Sequence, residues 1–293
     1  MNLAITVLEI TAPVFMLAAV GFVWMKLGFE YSVAFVTRIA MTLSVPCLIF
    51  VALMQADIAP EALTALSLAS VAAYGAVTVV MLALVWALGL ERRTYAAPLI
   101  FGNTGNLGLP LALFAFGDIG LSYAVVVFAI MAIWSFTFGI WLVSGGGSIL
   151  KVLKEPLVAG TLLGGLFLWQ GWETPLFLTN ALDLIGQMAI PMMLITLGVA
   201  VARLAPGRLW LAVGLSAIKA ALCVGLAWGA GLWFDLDPVA HAVLVLQIAT
   251  PVAVTSYLLS EKYGGDSDAV AGLVVVSTLM SVLLLPALLA VLL

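Results

Sequence analysis

The chain has 293 residues, of which 65% are hydrophobic and only 8% charged, with a mean hydropathy of +1.29. A water-soluble domain carries about a quarter charged residues, so this chain lacks the polar surface of a soluble globule. Its net charge of −4 and the absence of basic stretches argue against a nucleic-acid partner. These numbers describe a polytopic membrane protein whose immediate partner is the lipid bilayer.

A bilayer-spanning helix needs about 20 predominantly apolar residues. Charged residues and Gly/Pro punctuation divide the chain into ten such stretches: Ile5–Met25, Val33–Met54, Leu63–Leu88, Tyr95–Phe116, Leu121–Val143, Leu157–Trp169, Leu176–Val201, Leu209–Trp233, Val239–Ser260 and Ala269–Leu292. The first has no positive leading segment and carries Glu9, so it reads as a retained span and not a signal peptide. Basic residues occupy every second connection: Lys26, Arg92 with Arg93, Lys151 with Lys154, Arg203 with Arg208, and Lys262. The intervening connections hold Asp57 and Glu61, Asp118, Glu173, and Asp235 with Asp237. By the positive-inside rule the basic loops are cytoplasmic, which puts both termini outside and predicts a multi-pass protein of the cell inner membrane. Trp24, Trp86, Trp141, Trp172, Trp210 and Trp233 fall near predicted span ends, as an aromatic belt requires.

The two halves resemble each other. Pro13 and Pro156 lie 143 positions apart, Pro46 and Pro191 145, Pro110 and Pro251 141, and Gly21 and Gly164 again 143. Residues 1–146 and 147–293 each hold five spans, and an odd number forces the second copy to enter the membrane inverted. The predicted fold class is therefore all-α, ten transmembrane helices in two inverted five-helix repeats. Paired, Gly/Pro-interrupted helices in such repeats point to a secondary transporter.

The fourth span contains Gly102-Asn103-Thr104-Gly105-Asn106-Leu107-Gly108-Leu109-Pro110. Three glycines and a proline in nine positions each weaken a helix by about 1 to 3 kcal/mol, and unwound backbone survives at membrane depth only beside a cavity or within protein. Asn103, Thr104 and Asn106 supply polar side chains there, and the half-helix beyond the break presents an anion-attracting N-terminus. The ninth span has a milder interruption at Gln247-Ile248-Ala249-Thr250-Pro251. Substrate contacts are therefore expected from Asn103, Thr104, Gly105, Asn106, Gly108, Pro110, Gln247, Thr250 and Pro251.

Lys219 is the one charged residue predicted near the bilayer centre, in the eighth span. A lysine there costs on the order of 3 kcal/mol to insert, which makes it a functional candidate. Its ammonium either fixes the crossing backbone through carbonyl contacts or exchanges a proton during transport. With one histidine, His241, and two cysteines in apolar runs, Cys47 and Cys223, no metal or other cofactor site is expected. An intramembrane hydrolase would need a nucleophile beside a base; Ser216 and Ser256 have no histidine predicted near them, so an enzyme is not expected.

Gly102–Leu111 resembles the fourth-helix motif of the auxin efflux carrier family, with Asn103, Gly108 and Pro110 matching its Asn-Thr-x3-Gly-x-Pro pattern. Gln247, Ala249, Pro251, Glu261, Tyr263 and Pro286 resemble its C-terminal pattern. The resemblance implies a fold shared with sodium/bile acid symporters, with spans one, two, six and seven as a scaffold and the other six as a mobile transport domain. It further implies elevator-type transport of small organic anions, Asn103 as a direct carboxylate ligand, and a homodimer formed through the scaffold. A sodium-coupled symporter is the alternative, but the predicted crossing offers only Asn103, Asn106, Gln247 and Thr250 and no carboxylate. Two features depart from the plant carriers. The connection Ser144–Pro156 is short, and the third span lacks their acid/base pair, having Tyr74 as its only ionisable side chain.

Overall fold

The computed structural model describes residues 3–56, 58–139, 141–142, 156–204 and 207–293. Asp57, Lys151 and Lys154 lie outside the described residues. Those residues form an all-helical protein whose only sheet-like feature is one isolated backbone bridge. Seven helical stretches are long and apolar enough to cross a membrane, and two shorter apolar helices, Val158–Gln170 and Pro238–Ile248, accompany them. Large apolar side chains such as Leu8, Val79, Trp86, Trp210 and Leu283 point outward, the surface expected of a molecule bathed in lipid and not water.

Helix α1 spans Leu3–Lys26 and tolerates Pro13 in its interior. The second span begins as α2, Val33–Ile39, and widens into a π-turn at Ala40–Ser44 before continuing as α3, Val45–Met54. Pro46 is the second residue after that turn; its missing N–H breaks the regular ladder. Helix α4 is Pro60–Ala87, α5 Arg92–Ile100 and α6 Leu109–Trp134. Inside α6 the backbone leaves helical geometry at Gly117 (φ 65°, ψ −153°), a conformation open essentially to glycine alone. This break falls between the predicted fourth and fifth spans.

Helix α7 covers Pro156–Gln170. The seventh span divides into α8, Leu176–Gln187, and α9, Ala189–Arg203. Pro191 cannot donate to the Gln187 carbonyl and crowds it, which ends α8 there. Helices α10 (Leu209–Trp233), α11 (Pro238–Ile248), α12 (Val254–Tyr263) and α13 (Ser267–Leu292) complete the chain.

Packing sorts these helices into two groups. Helix α1 lies along α9, and α3 packs on α7 and α8; elsewhere α10 contacts α4, α11 and α13, while α6 packs on α11. Glycines permit the first set of contacts. A Cβ on Gly21 would strike the Ile195 carbonyl oxygen, and one on Gly198 the Ala18 carbonyl oxygen. A Cβ on Gly164 would lie 3.2 Å from the Phe50 backbone, and one on Gly160 2.7 Å from the Pro46 carbonyl oxygen. Without a hydrophobic driving force between helices in lipid, such close backbone approach is a main source of association.

Candidate functional site

The site is built on two interrupted helices. Helix α5 ends at Ile100, Phe101 takes extended geometry, and Asn103 precedes a π-turn, Thr104–Gly108, that feeds α6. Helix α11 ends at Ile248, and α12 starts at Val254. The two breaks pair: Gly102 and Val252 form an antiparallel bridge, and the Asn103 N–H donates to the Pro251 carbonyl at 2.7 Å. Gly102 is needed for this approach, because a Cβ would land on Thr250 Oγ1. The Val252 N–H donates to Ser277 Oγ at 3.0 Å, and the Thr250 hydroxyl donates to the Gln247 carbonyl at 2.7 Å. Backbone groups released by the breaks are thus satisfied within the protein, as membrane depth demands.

A cavity of about 280 Å³ opens beside the crossing. Asn103, Gly105 and Asn106 line it from the first break, and Val254, Thr255 and Ser256 from the first turn of α12. Two helix N-termini, with the donor N–H groups that a first turn leaves free, therefore face one space. Asn103 is 5% exposed, and its Nδ2 has no hydrogen-bond partner. Phe101, Phe128, Met131 and Met193 supply apolar lining, and Thr37 and Thr196 add hydroxyls to it. The cavity's described lining contains no charged side chain. It offers donors and partial positive charge within a mostly apolar lining, which suits a small anion.

The other predicted residues lie around this space and not in its wall. Thr104 is buried with an unpartnered hydroxyl. Gly108 backs onto Gln247, whose carboxamide nitrogen and oxygen both lack partners; a Cβ on Gly108 would fall on that carboxamide. Pro110 is the second residue of α6, whereas Pro251 lies in the extended break, so these two prolines occupy different places. Sequence reasoning missed Thr255 and Ser256. They directly follow the second break, so the N-terminus argument applied to the fourth span would have found them.

Lys219 is 2% exposed. Its Nζ donates to the Leu99 carbonyl at 3.1 Å, in the last turn of α5, and lies 3.9 Å from Cys223 Sγ. A second, very small cavity beside it is lined by Ser216, Thr250, Pro251, Ser277 and Ser281. Thr250 and Pro251 therefore belong to the Lys219 side of the crossing. His241, partly buried, stacks edge-on against Trp228, and its Nε2 is buried without a partner. Asp237 caps α11 and accepts from Tyr123 Oη at 3.0 Å. Asp183 accepts from Gln187 on an exposed face, and Arg38 is exposed.

Comparison with known proteins gives relatives of one kind. A protein of Rhizobium meliloti (strain 1021) named "Putative malonate transporter" is 25% identical over 229 residues, covering 70% of this chain and 71% of the relative. An uncharacterized transporter of Methanocaldococcus jannaschii is 26% identical over 199 residues, 64% of each chain and so a little under two thirds of that relative. A family described as membrane transport protein matches residues 140–289, half of the chain, and its second break lies inside the match. Together with the multiple apolar helices, this shows that the chain is a multi-pass member of the membrane transport protein family.

Proposed function

We propose that this chain is a carrier of small organic anions, mono- or dicarboxylates, that binds its substrate at the paired breaks and moves it by an elevator-type mechanism. The carrying observation is the unpartnered carboxamide nitrogen of buried Asn103, a residue that lines, with two helix N-termini, a cavity with no described charge in its lining. A carboxylate would accept from Asn103 Nδ2 and from N–H groups at the start of the Thr104–Gly108 turn and of α12. The name of the Rhizobium relative makes malonate the first substrate to try.

The architecture we propose is two inverted five-helix repeats, residues 1–146 and 147–293. One contact made twice supports it: Gly21 approaches Ile195, and Gly164 approaches Phe50, with each residue of one pair about 143–145 positions from its counterpart in the other. The Gly117 break supports separate fourth and fifth spans. As one straight helix, the 36-residue stretch Thr104–Gly139 would be about 54 Å long, far beyond a hydrocarbon core of about 30 Å. In this reading spans one, two, six and seven, with α1 on α9 and α3 on α7, form the scaffold, and a second copy docks there. The remaining helices move.

The cavity lies between the two groups. Val33, Thr37, Met193 and Thr196 come from the scaffold, and the breaks come from the mobile group. Val33, Gly139 and Leu259 belong to helix ends beside the basic connections, so with those loops cytoplasmic the cavity faces the cytoplasm. Both termini are then outside.

The test is purified protein in liposomes with labelled malonate and a panel of other mono- and dicarboxylates, under imposed proton, sodium and voltage gradients. Saturable uptake of at least one carboxylate, competed by its analogues, is expected. Absence of transport across the panel would overturn the reading.

A further inference from the structure

A buried lysine with no counter-ion among the described residues needs an explanation. Among the described residues Lys219 makes no ion pair, and α4, α5, α11 and α13 surround its helix. Described acidic residues on these elements sit at their ends: Glu61 in the first turn of α4, Glu91 at the N-cap of α5, Asp237 capping α11, Asp266 capping α13 and Asp268 in its first turn. The oxygen that Lys219 does reach, Leu99 O, is a carbonyl in the last turn of α5. The small cavity beside it is walled by Ala249, Thr250 and Pro251, which directly follow the last turn of α11.

Lys219 therefore sits where two half-helices present their carboxyl ends. Each such end carries roughly half a negative elementary charge, so the pair amounts to about −1. The amino ends of the other two half-helices face the large cavity instead. The crossing is thus polarised, donors toward the cavity and acceptors toward Lys219. Ser216 Oγ, buried and unpartnered, also lines the Lys219 side.

We propose that Lys219 is a positioning residue, the built-in cation of the crossing. Its ammonium balances the facing carboxyl ends of α5 and α11 and holds the Leu99 carbonyl, which keeps the unwound Phe101–Asn103 segment aimed at the anion cavity. A dissociable cation is then unnecessary, and transport is independent of sodium. The effect on transport rests on the carrier reading above; the effect on the folded crossing does not.

The experiment has two readouts, thermal unfolding of the purified protein in detergent and malonate uptake in liposomes. Each is measured in sodium, potassium and N-methylglucamine chloride. Wild type should be indifferent to the cation in both. Lys219→Met preserves length and removes charge; its unfolding temperature should fall by several degrees and its uptake by roughly tenfold or more, the equivalent of one charge-assisted hydrogen bond. Lys219→Ala should regain part of both in millimolar ethylammonium or sodium, because the cation can re-enter the vacated space. A sodium-dependent rise in wild-type unfolding temperature would overturn the proposal, as would wild-type behaviour of Lys219→Met. If the methionine variant cannot be purified, Lys219→Arg decides: a stable, sodium-indifferent protein supports a requirement for charge, and equal failure of both variants refutes it. Should wild type carry no carboxylate, the carrier reading fails while the unfolding measurements still judge Lys219.

Discussion

Replacing Asn103 with alanine separates a binding role from a structural one. In the folded protein Asn103 Nδ2 has no partner, so its removal breaks no hydrogen bond made by that nitrogen. The bond that holds the two breaks together runs from the Asn103 backbone N–H to Pro251 and survives the substitution. Stability should therefore change little. Binding should not. A hydrogen bond to a charged partner contributes about 1.5–3 kcal/mol, and each 1.4 kcal/mol is about a factor of ten, so affinity for a carboxylate should fall roughly 10- to 150-fold. Asn103→Asp should weaken binding further, since it sets a like charge against the substrate within the cavity. Binding of labelled malonate to purified protein, with unfolding temperature recorded in parallel, gives both quantities. Unchanged affinity in Asn103→Ala, with wild type binding the same ligand, would refute the assignment.

Other outcomes follow from the packing. Gly198→Val drives a side chain into the Ala18 carbonyl and should lower the unfolding temperature, an overpacking cost of about 1–3 kcal/mol or more; Gly225→Ala, which meets open space, serves as the control that should not destabilise. Gly108→Ala collides with the Gln247 carboxamide and should depress stability and uptake, and Gln247→Ala in the same chain should restore part of the loss, a coupling read from a double-mutant cycle. Cysteine placed at exposed Asp235 should react with an impermeant reagent applied outside intact cells, whereas cysteine at exposed Arg92 should not. Labelling at Arg92 alone would invert the proposed topology.

Much of the site could be read one residue at a time. The Gly102–Pro110 cluster cannot sustain a regular helix, and the structure unwinds there, through Phe101–Asn103 and the π-turn Thr104–Gly108. Pro251 likewise marks the second break. Asn103, Gly105 and Asn106 reach the cavity because they lie at the unwound segment itself. The matched prolines were a poorer guide to register. Pro110 tolerates an early helical position where no N–H is needed, while Pro251 lies in extended backbone, so both satisfy the same chemical constraint at different places.

By itself the sequence determined the membrane class, the family resemblance, the helical secondary structure and the approximate sites of both breaks. Hydropathy and helix-breaking are local properties of residue types, and a bilayer leaves helix as the economical way for apolar segments to satisfy their own backbone. Only the tertiary structure decided that Gly102 pairs with Val252, that Thr255 and Ser256 face the same cavity as Asn103, and that Lys219 reaches Leu99, 120 positions earlier in the chain. Each of these depends on which backbone groups, freed by one break, lie within about 3 Å of groups freed or offered by another element. No residue type encodes its partner across the molecule; helix packing, with glycines such as Gly102 and Gly108 permitting close approach at the crossing, brings the partners together.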